Sequence, residues 1–284
     1  MNTQRTILVT GASTGIGAGC AVGLAKRGYR VFAGVRKFED GERLVAEAGS
    51  GLTPVILDVT RADTIEATRK TVEEAVGEQG LDGLFNNAGV SVAGPIEFLS
   101  LDDLRWQLDV NVIGQVAVTQ AFLPLLRKAK GRIITTGSVG GFVASPFLSA
   151  YNMSKYAMEA FSDALRVELK PQGIEVILLE PAAIASEIWD KGTAASEPYT
   201  TNPPPGFDEL YGGFLAGIQK FAAEGKERGH PPQVVLDAVI DALESSKPKT
   251  RYVMGDGAGL RKVLRRLPDR LRDRILLRAL GVKV

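Results

Sequence analysis

Two side chains in the middle of the chain, Tyr151 and Lys155, have types and a spacing suited to proton transfer. A tyrosine phenol has an ordinary pKa of about 10, so it needs help to act as a base near neutral pH. On a helix, residues four apart share one face, and an ammonium beside a phenol favours the phenolate and lowers its pKa. Such a pair is common on surfaces. Ser138 strengthens the hypothesis, because its hydroxyl follows an apolar run of strand length, and open α/β folds place ligands at the carboxyl ends of such strands.

A glycine-rich segment, TGASTGIG at residues 10–17, is the second group with chemical potential. Gly11, Gly15 and Gly17 permit positive φ and let backbone N–H groups and a helix N-terminus approach a pyrophosphate. The spacing is G-x-x-x-G-x-G, which differs from the common dinucleotide fingerprint G-x-G-x-x-G. A tight strand-to-helix turn also explains the glycines, so the loop alone is weak evidence for phosphate binding. The surrounding sequence has to supply further support.

The elements that must position these residues alternate along the chain. Apolar runs of strand length lie at residues 6–10, 30–35, 54–57, 81–85, 132–136, 175–179 and 251–254. Helical patterns lie at residues 16–27, 40–48, 62–76, 101–126 and 151–169, and further ones begin near residues 208 and 233. This alternation predicts an α/β fold of the Rossmann type, a doubly wound parallel sheet with helices on both faces.

Composition excludes several classes of protein. A chain of 284 residues with 45% hydrophobic and 24% charged residues is typical of a globular protein with a sizeable core. A net charge of +1 argues against a nucleic-acid partner bound by a positive field. The lone Cys20 cannot close an intrachain disulfide and no long apolar segment begins the sequence, so we expect a cytoplasmic protein. One histidine, His230, and no cysteine cluster predict no metal site.

The ordered motifs resemble the short-chain dehydrogenase/reductase family over about residues 5–186. After the loop come, in the family's order, Asp58 in LDVT, NNAG at residues 86–89, Asn111, and Ser138 with Tyr151 and Lys155. The set is much more specific than any one motif. The resemblance implies an oxidoreductase that uses a nicotinamide cofactor, with members acting on steroids and retinol among its relatives.

The resemblance also implies the catalytic roles. Tyr151 exchanges a proton with the substrate oxygen, and Ser138 hydrogen-bonds and orients that oxygen. Lys155 holds the nicotinamide ribose, and Asn111 anchors a water that links Lys155 to solvent. The substrate pocket is expected to be lined by Ser138, Val139, Val143, Leu148, Tyr151, Ala182 and Trp189.

By the same resemblance, the cofactor contacts fall into three groups. They are the loop residues Gly11, Ser13, Thr14, Gly15, Ile16 and Gly17; the adenosine-side residues Asp58, Val59, Asn87, Ala88 and Gly89; and the nicotinamide-end residues Tyr151, Lys155, Pro181, Ile184 and Ser186. Arg36 and Lys37 follow the second strand and suit the 2′-phosphate of NADP(H), since a guanidinium binds phosphate bidentately. A solvated basic turn is the alternative for this pair.

One departure from the family pattern lies after the sixth strand, where Pro181-Ala182 replaces the usual Pro-Gly. Ala182 puts a Cβ where glycine normally lets the backbone lie against the nicotinamide ring. This departure keeps open a second function, that of a non-catalytic NADP(H)-binding sensor or regulatory protein.

We predict one domain over residues 1–284, with a core at 1–186, a substrate lid at 187–230 and a tail at 256–284. The predicted lid carries Ile188, Trp189, Tyr199, Phe207, Tyr211 and Phe214. Aromatic side chains there suit an apolar secondary alcohol or ketone, or an alcohol or aldehyde, such as a steroid or a retinoid. Small ketones and acyl thioesters stay open.

The tail is basic and amphipathic. Residues 261–284 carry nine Lys or Arg and two Asp, a net charge of +7 that leaves −6 for residues 1–260. The tail can lie on an anionic membrane surface, cover the substrate pocket, pack against another subunit, or dock on its own domain with a solvated face. The family resemblance also implies a homodimer or homotetramer that packs through the helices at 101–126 and 151–169.

Overall fold

A seven-stranded parallel sheet organises the computed structural model, which describes residues 4–185, 199 and 201–282. The strands are β1 Thr6–Val9, β2 Arg30–Val35, β3 Leu52–Ile56, β4 Gly83–Asn86, β5 Arg132–Thr136, β6 Glu175–Pro181 and β7 Arg251–Met254. Their order is β3-β2-β1-β4-β5-β6-β7, and each neighbouring pair is parallel. The predicted Rossmann-type fold is confirmed. The order reverses between β1 and β4, and such a switch point opens a ligand crevice at the carboxyl ends of the strands.

The helices follow the predicted pattern. They are α1 Gly15–Lys26, α2 Phe38–Ala48, α3 Ala62–Val76, α4 Leu101–Leu108, α5 Gly114–Ala129, α6 Ser149–Leu169, α7 Phe207–Arg228, α8 Gln233–Glu244, α9 Ala258–Leu264 and α10 Asp269–Ala279. The predicted helix over 101–126 is confirmed as one continuous run, Leu101–Ala129, which contains a π-helical turn, Asp109–Ile113, between α4 and α5. Such turns often occur at functional sites.

Both faces of the sheet are buried, as expected for a parallel sheet with helices on each side. On one face Val9, Val31 and Ile177 pack with residues of α1 and α8. On the other face Leu8 and Phe32 pack with residues of α3, α5 and α6. The alternation explains why the strand sequences are apolar throughout.

Charged and polar contacts join the elements at the amino ends of the strands. Arg27, just after α1, donates two hydrogen bonds of 2.8 Å to the carboxylate of Glu244 at the end of α8. The hydroxyl of Tyr29 donates to the same carboxylate at 3.0 Å. The Arg27 guanidinium lowers the pKa of Glu244 to about 2. These contacts lie at the end of the sheet opposite the ligand crevice.

The tail docks on its own domain. Leu264 in α9 joins Val139, Phe142 and Val143 in a third apolar cluster, and Leu267, Ile275 and Leu276 pack against it. The main chain at Leu280 lies against Gly217 in α7. This packing is one of the four placements predicted for the tail, namely docking on its own domain. The apolar side of the tail that faces the domain is therefore packed against it.

An aromatic cluster joins α7 to the loops beside the crevice. Tyr199 stacks on Phe207 with ring centroids 5.5 Å apart, and Tyr211 and Phe214 both contact Phe147, at 5.8 and 5.6 Å. Phe98 completes the cluster through Phe207 and Tyr211. The aromatic side chains of the predicted lid that the structure describes therefore lie together.

The segment Leu101–Ala129 is apolar and long enough, by composition, to cross a membrane. In the fold 44% of its most apolar window is buried inside the protein. Core helices of soluble proteins share this property, so the segment carries little weight as a membrane anchor.

We predict that Phe122→Ala lowers the free energy of unfolding by about 3–5 kcal/mol, because its ring is fully buried in α5 and leaves a cavity. Denaturant unfolding followed by circular dichroism measures the loss. Val167→Ala is the control, since Val167 is 71% exposed on α6 and should change stability by less than about 0.5 kcal/mol. Equal losses in the two variants would contradict the predicted core.

Candidate active site

The glycine loop between β1 and α1 has the shape of an anion cradle. Gly11 and Gly15 adopt φ of +63° and +59°, where an L side chain is strained. Gly17 differs from the prediction, because its φ is not positive. A Cβ at Gly17 would instead overlap the carbonyl oxygen of Gly11 and crowd the side chain of Asn87. Two glycines thus serve the turn and the third serves close packing, and together they fit a pyrophosphate at the start of α1.

The end of β4 is tied to this loop by hydrogen bonds. The hydroxyl oxygen of Thr10 accepts from the backbone N–H groups of Asn87 and Ala88, at 2.9 and 3.0 Å. The side-chain amide of Asn87 donates to the carbonyls of Thr10 and Gly11, both at 3.2 Å. Asn86 is buried and donates to the hydroxyl of Thr119 at 2.8 Å, as a strand-end support does. The loops after β1 and β4 therefore form one unit.

Side chains near the predicted adenosine end are exposed or half-buried. Arg36 and Lys37 stand in solvent just after β2. Asp58, after β3, is half-buried, and its carboxylate accepts from the backbone N–H and hydroxyl of Thr60 at 2.9 and 2.7 Å. Val59 is buried beside it.

The sequence reasoning missed Arg43. This residue of α2 donates a hydrogen bond to the carbonyl oxygen of Ser13 in the glycine loop and pairs with Asp40 at 3.4 Å. It brings a third cation to the loop region. An exposed arginine on a helix carries no special spacing, so the sequence held no signal for it.

The proposed catalytic side chains come together at the carboxyl ends of β5 and β6. Lys155 is buried, donates to the carbonyl oxygen of Thr136 at 2.7 Å, and lies 5.6 Å from the ring centroid of Tyr151. The Ser138 hydroxyl accepts from the N–H of Gly140 at 3.0 Å and donates to the carbonyl oxygen of Pro181 at 3.4 Å. The predicted grouping of Ser138, Tyr151 and Lys155 is present.

Burial dominates the ionisation of the pair. It lowers the pKa of Lys155 to about 8, because the ammonium loses water. It also raises the pKa of Tyr151, and a hydrogen bond with Ser138 offsets part of this rise. The sequence predicted a lowered tyrosine pKa, which the structure does not bear out, because desolvation of the phenolate exceeds the help from its neighbours. Tyr151 as a whole residue is half-buried. A protonated Tyr151 suits a proton donor.

Asn111 lies at the centre of the π-helical turn and is fully buried. Its side-chain oxygen accepts from the N–H of Val90 at 2.8 Å, and its amide donates to the carbonyl of Val90 and to the hydroxyl of Ser154 at 3.0 and 3.1 Å. The side chain thus connects the loop after β4 with α6. Gly89 lies beside it, since a Cβ there would be 3.5 Å from the Asn111 oxygen.

The segment after β6 accommodates alanine without backbone strain. Ala182 does not have positive φ, and its N–H donates to the carbonyl of Met254 at 2.7 Å. Ile184 is buried and pairs with His230 in an isolated bridge, which gives His230 a structural role. Two predicted contacts, Ser186 and Trp189, lie outside the described residues.

The predicted substrate side combines open and covered residues. Leu148 is half-buried, whereas Val139 and Val143 are buried members of the third apolar cluster, and Val143 is completely covered. Arg261 in α9 donates to the carbonyl of Val143 and to the hydroxyl of Ser145, at 3.4 and 3.2 Å. The tail therefore fixes the loop that leads from Ser138 to Tyr151.

The remaining sulfur and metal-ligand candidates are structural. Cys20 is buried in α1, and burial raises the pKa of its thiol to about 12, as in an inert core residue. In the parts of the chain that the structure describes, no group of three His, Cys, Asp or Glu side chains is placed to hold a metal ion.

Comparison with known proteins agrees with this geometry. The family model described as short chain dehydrogenase matches residues 5–197. The chain is 35% identical to an NADPH-dependent 3-dehydrocapnine reductase of Ornithobacterium rhinotracheale over 98% of both chains. It is 37% identical to 17-beta-hydroxysteroid dehydrogenase type 6 of Bos taurus, over 97% of this chain and 89% of the relative.

A solved structure shows the same fold. A short chain dehydrogenase from Burkholderia cenocepacia J2315 in complex with NADP superposes with a TM-score of 0.71 at 26% identity, covering 96% of this chain and 98% of the other. The family model spans more than half of the chain, and both relatives exceed 30% identity over nearly all of it. The chain therefore belongs to the short-chain dehydrogenase family and is an NAD(P)-dependent oxidoreductase.

Proposed function

We propose that the protein interconverts a secondary alcohol and a ketone, or an alcohol and an aldehyde, on an apolar substrate such as a steroid or a retinoid, with NADP(H). The observation that carries the proposal is the position of Tyr151 at the carboxyl edge of the sheet. Ser138 hydrogen-bonds it and Lys155 lies one helical turn away, with an ammonium 5.6 Å from its ring. The alternative of a non-catalytic sensor leaves this arrangement without a role.

The protein's part of the mechanism is orientation and proton transfer. Ser138 holds the substrate oxygen, and Tyr151 gives that oxygen its proton in the reductive direction. Lys155, with a pKa lowered to about 8, can pass a proton towards Tyr151 and regain one from solvent near neutral pH. The nicotinamide supplies or accepts the hydride when bound. Asn111 keeps α6 and the loop after β4 in place while the proton moves.

Three features support NADP(H). Arg36 and Lys37 are free to meet a phosphate at the end of β2, and Arg43 stands beside the glycine loop. Arginine binds a phosphate monoester through paired, charge-assisted hydrogen bonds. The relative from Ornithobacterium is named as NADPH-dependent, and the structure from Burkholderia contains NADP.

The aromatic cluster supports an apolar substrate. Tyr211 and Phe214 of α7 contact Phe147 in the loop that follows Ser138. Flat aromatic walls favour rings and long apolar chains over small polar ketones. The relative named as a 17-beta-hydroxysteroid dehydrogenase points to the same class.

Exposed apolar side chains support a homodimer or homotetramer. Leu101, Trp106, Ile113, Met153 and Tyr156 lie on α4, α6 and the π-helical turn between α4 and α5, and all are exposed in the single chain. The helices that carry them are those that pack between subunits in the family. A second copy would bury these side chains.

The tail supports contact with an anionic membrane. Its apolar side packs against the domain, but Leu260 and Val263 on α9 are 62% and 57% exposed, and Lys262 and Arg266 stand beside them. Apolar side chains flanked by cations suit the boundary between headgroups and acyl chains. We therefore propose a cytoplasmic protein with peripheral membrane contact.

Tyr151→Phe should lower kcat by about 10²–10⁴-fold with steroid, retinoid or small ketone substrates, because it removes only the proton-bearing oxygen. Steady-state kinetics with NADPH measures the loss, and fluorescence titration should show that NADPH still binds. Tyr156→Phe, one turn further along the exposed side of α6, should keep wild-type rates. A Tyr151→Phe variant as fast as wild type would refute the mechanism, as would a wild type that binds NADPH tightly and turns over nothing.

Arg36→Asp should raise the KM for NADPH roughly ten- to a hundredfold, as expected when hydrogen bonds to a charged group are lost. The KM for NADH should stay constant or fall, since an acid suits the ribose 2′-hydroxyl. Parallel kinetics with both cofactors gives the ratio. Lys26→Asp, at the far end of α1, makes the same charge change and should leave the ratio alone. If Arg36→Asp leaves it unchanged, Arg36 is only a solvated turn residue.

Lys262→Glu combined with Arg266→Glu should weaken binding to phosphatidylserine vesicles at least tenfold, since each cation near such a surface contributes about 1 kcal/mol. Vesicle co-sedimentation measures the change, and neutral phosphatidylcholine vesicles should bind the wild type weakly. Lys70→Glu with Lys128→Glu, exposed cations away from the tail, is the matched control. Equal binding by both double variants would remove the membrane surface from the proposal.

A further inference from the structure

Helix α6 carries ionisable side chains at every fourth position, Tyr151, Lys155, Glu159 and Asp163. Residues four apart on a helix are neighbours on its surface. Glu159 therefore follows Lys155 by one turn towards the inside of the protein, where its side chain is only 12% exposed. Neither proton transfer nor cofactor binding, as described above, uses this carboxyl group.

A second carboxyl group, that of Glu180, faces Glu159 from β6. Its side chain is 1% exposed, and the two carboxyl groups are within hydrogen-bonding reach. Glu180 directly precedes Pro181, whose carbonyl oxygen accepts the hydrogen bond from Ser138. The two acids thus join the helix of Tyr151 and Lys155 to the strand end that leads to the predicted nicotinamide contacts.

The cations around this pair stabilise the charged form of Glu159 more than that of Glu180. Arg251 of β7 donates to Glu159 at 3.1 Å and to Asp163 at 2.8 Å, whereas its nearest approach to Glu180 is an ion pair of 3.8 Å. Arg265, just after α9, also attracts Glu180 electrostatically, and Arg166 binds Asp163 at 2.6 Å. The loop 139–141, which covers Glu159, brings no charged group.

Three oxygens of the pair have no donor. Among the described residues, Oε1 of Glu159 and both Oε atoms of Glu180 are buried without a hydrogen-bond partner. Buried unpaired acceptors are costly, and two buried carboxylates side by side are more so. One proton on Glu180 removes the repulsion and supplies the missing O–H donor. Consistently, burial and the neighbouring Glu159 raise the pKa of Glu180 to about 8.

We propose that Glu180 is a protonated positioning residue, which donates a hydrogen bond to Glu159 and so fixes α6, with Tyr151 and Lys155, against the end of β6. Loss of this proton places two carboxylates in contact and pushes α6 away from the strand. The alignment of Lys155 with the cofactor then depends on the proton of Glu180, a residue that does not itself take part in the proposed proton transfer. The inference rests on the proposed NADP(H) dependence only for the second of its two tests.

The first test is thermal unfolding of the protein without cofactor between pH 5 and pH 10. In the folded protein Glu180 keeps a proton that the unfolded chain releases above its usual pKa of 4.5, so the contribution of Glu180 to stability is fully present below that pH and is lost as the pH rises to about 8. Glu180→Gln cannot lose a proton. We expect this variant to show a flatter profile and a melting temperature at pH 8 higher by roughly 2–4 °C.

Lys155 acts in a different range and in the other direction. Its pKa is lowered from 10.5 to about 8, so its contribution makes the protein more stable as the pH rises between these values. Glu175→Gln, at the half-buried start of the same strand, is the matched control and should keep the wild-type slope below pH 8. A Glu180→Gln profile parallel to wild type below pH 8 overturns the proposal.

The second test separates positioning from stability. We expect the NADPH affinity of the wild type, measured by fluorescence titration, to fall steeply above pH 8, with a slope of log Kd against pH near two protons. In Glu180→Gln the slope should drop towards one, the part that belongs to Lys155, while affinity and kcat near pH 7 stay within about threefold of wild type. Glu180→Ala, which also loses the hydrogen bond, should bind NADPH at least tenfold more weakly at pH 7. If Glu180→Gln flattens the unfolding profile but leaves the binding slope near two, the pair is only structural and the positioning role fails.

Discussion

A lysine ammonium is held inside the protein by the carbonyl oxygen of Thr136, 2.7 Å away at the end of β5. This bond fixes the register of α6, because a slide of one residue would break it. Tyr151 lies one turn before Lys155 and Glu159 one turn after it, so both depend on the same register. The end of β5, the proposed catalytic hydroxyl of Tyr151 and the pair of Glu159 and Glu180 are therefore positioned together. Burial makes the ammonium easier to discharge, which suits a group that passes protons near neutral pH.

Much of this arrangement could be predicted from the sequence. Strands of a doubly covered sheet are apolar at every position, so each run stood out, and residues that follow such runs lie at one edge. That reasoning located the glycine loop and Ser138, whereas the Tyr151/Lys155 pair was identified by its helical spacing and by the family resemblance. The prediction of a glycine loop was right, but the reason given for Gly17 was wrong. This glycine is needed for close packing and does not have positive φ.

Other features had no sequence signal. Helical periodicity continues through Asp109–Ile113, so nothing marked the π-helical turn that holds Asn111. The sign of the Tyr151 pKa shift depends on desolvation, which only packing reveals. Glu180 lies just beyond the predicted strand 175–179 and belongs to no motif, and its partner Glu159 lies on another element. The tail had four possible partners, and its amphipathic pattern could not choose among them. Side-chain packing in three dimensions decided each of these points.

The contacts of Arg27 and Tyr29 with Glu244 close the edge of the sheet that lies away from the chemistry. Their partners are 217 and 215 residues apart in the sequence. Because these contacts lie at the opposite ends of the strands from the crevice and, among the described residues, share no partner with it, free-energy changes there should add to changes at the crevice. Heat tolerance and substrate choice can thus be altered by separate sets of mutations, so the amino ends of the strands are the place for stabilising changes in laboratory evolution.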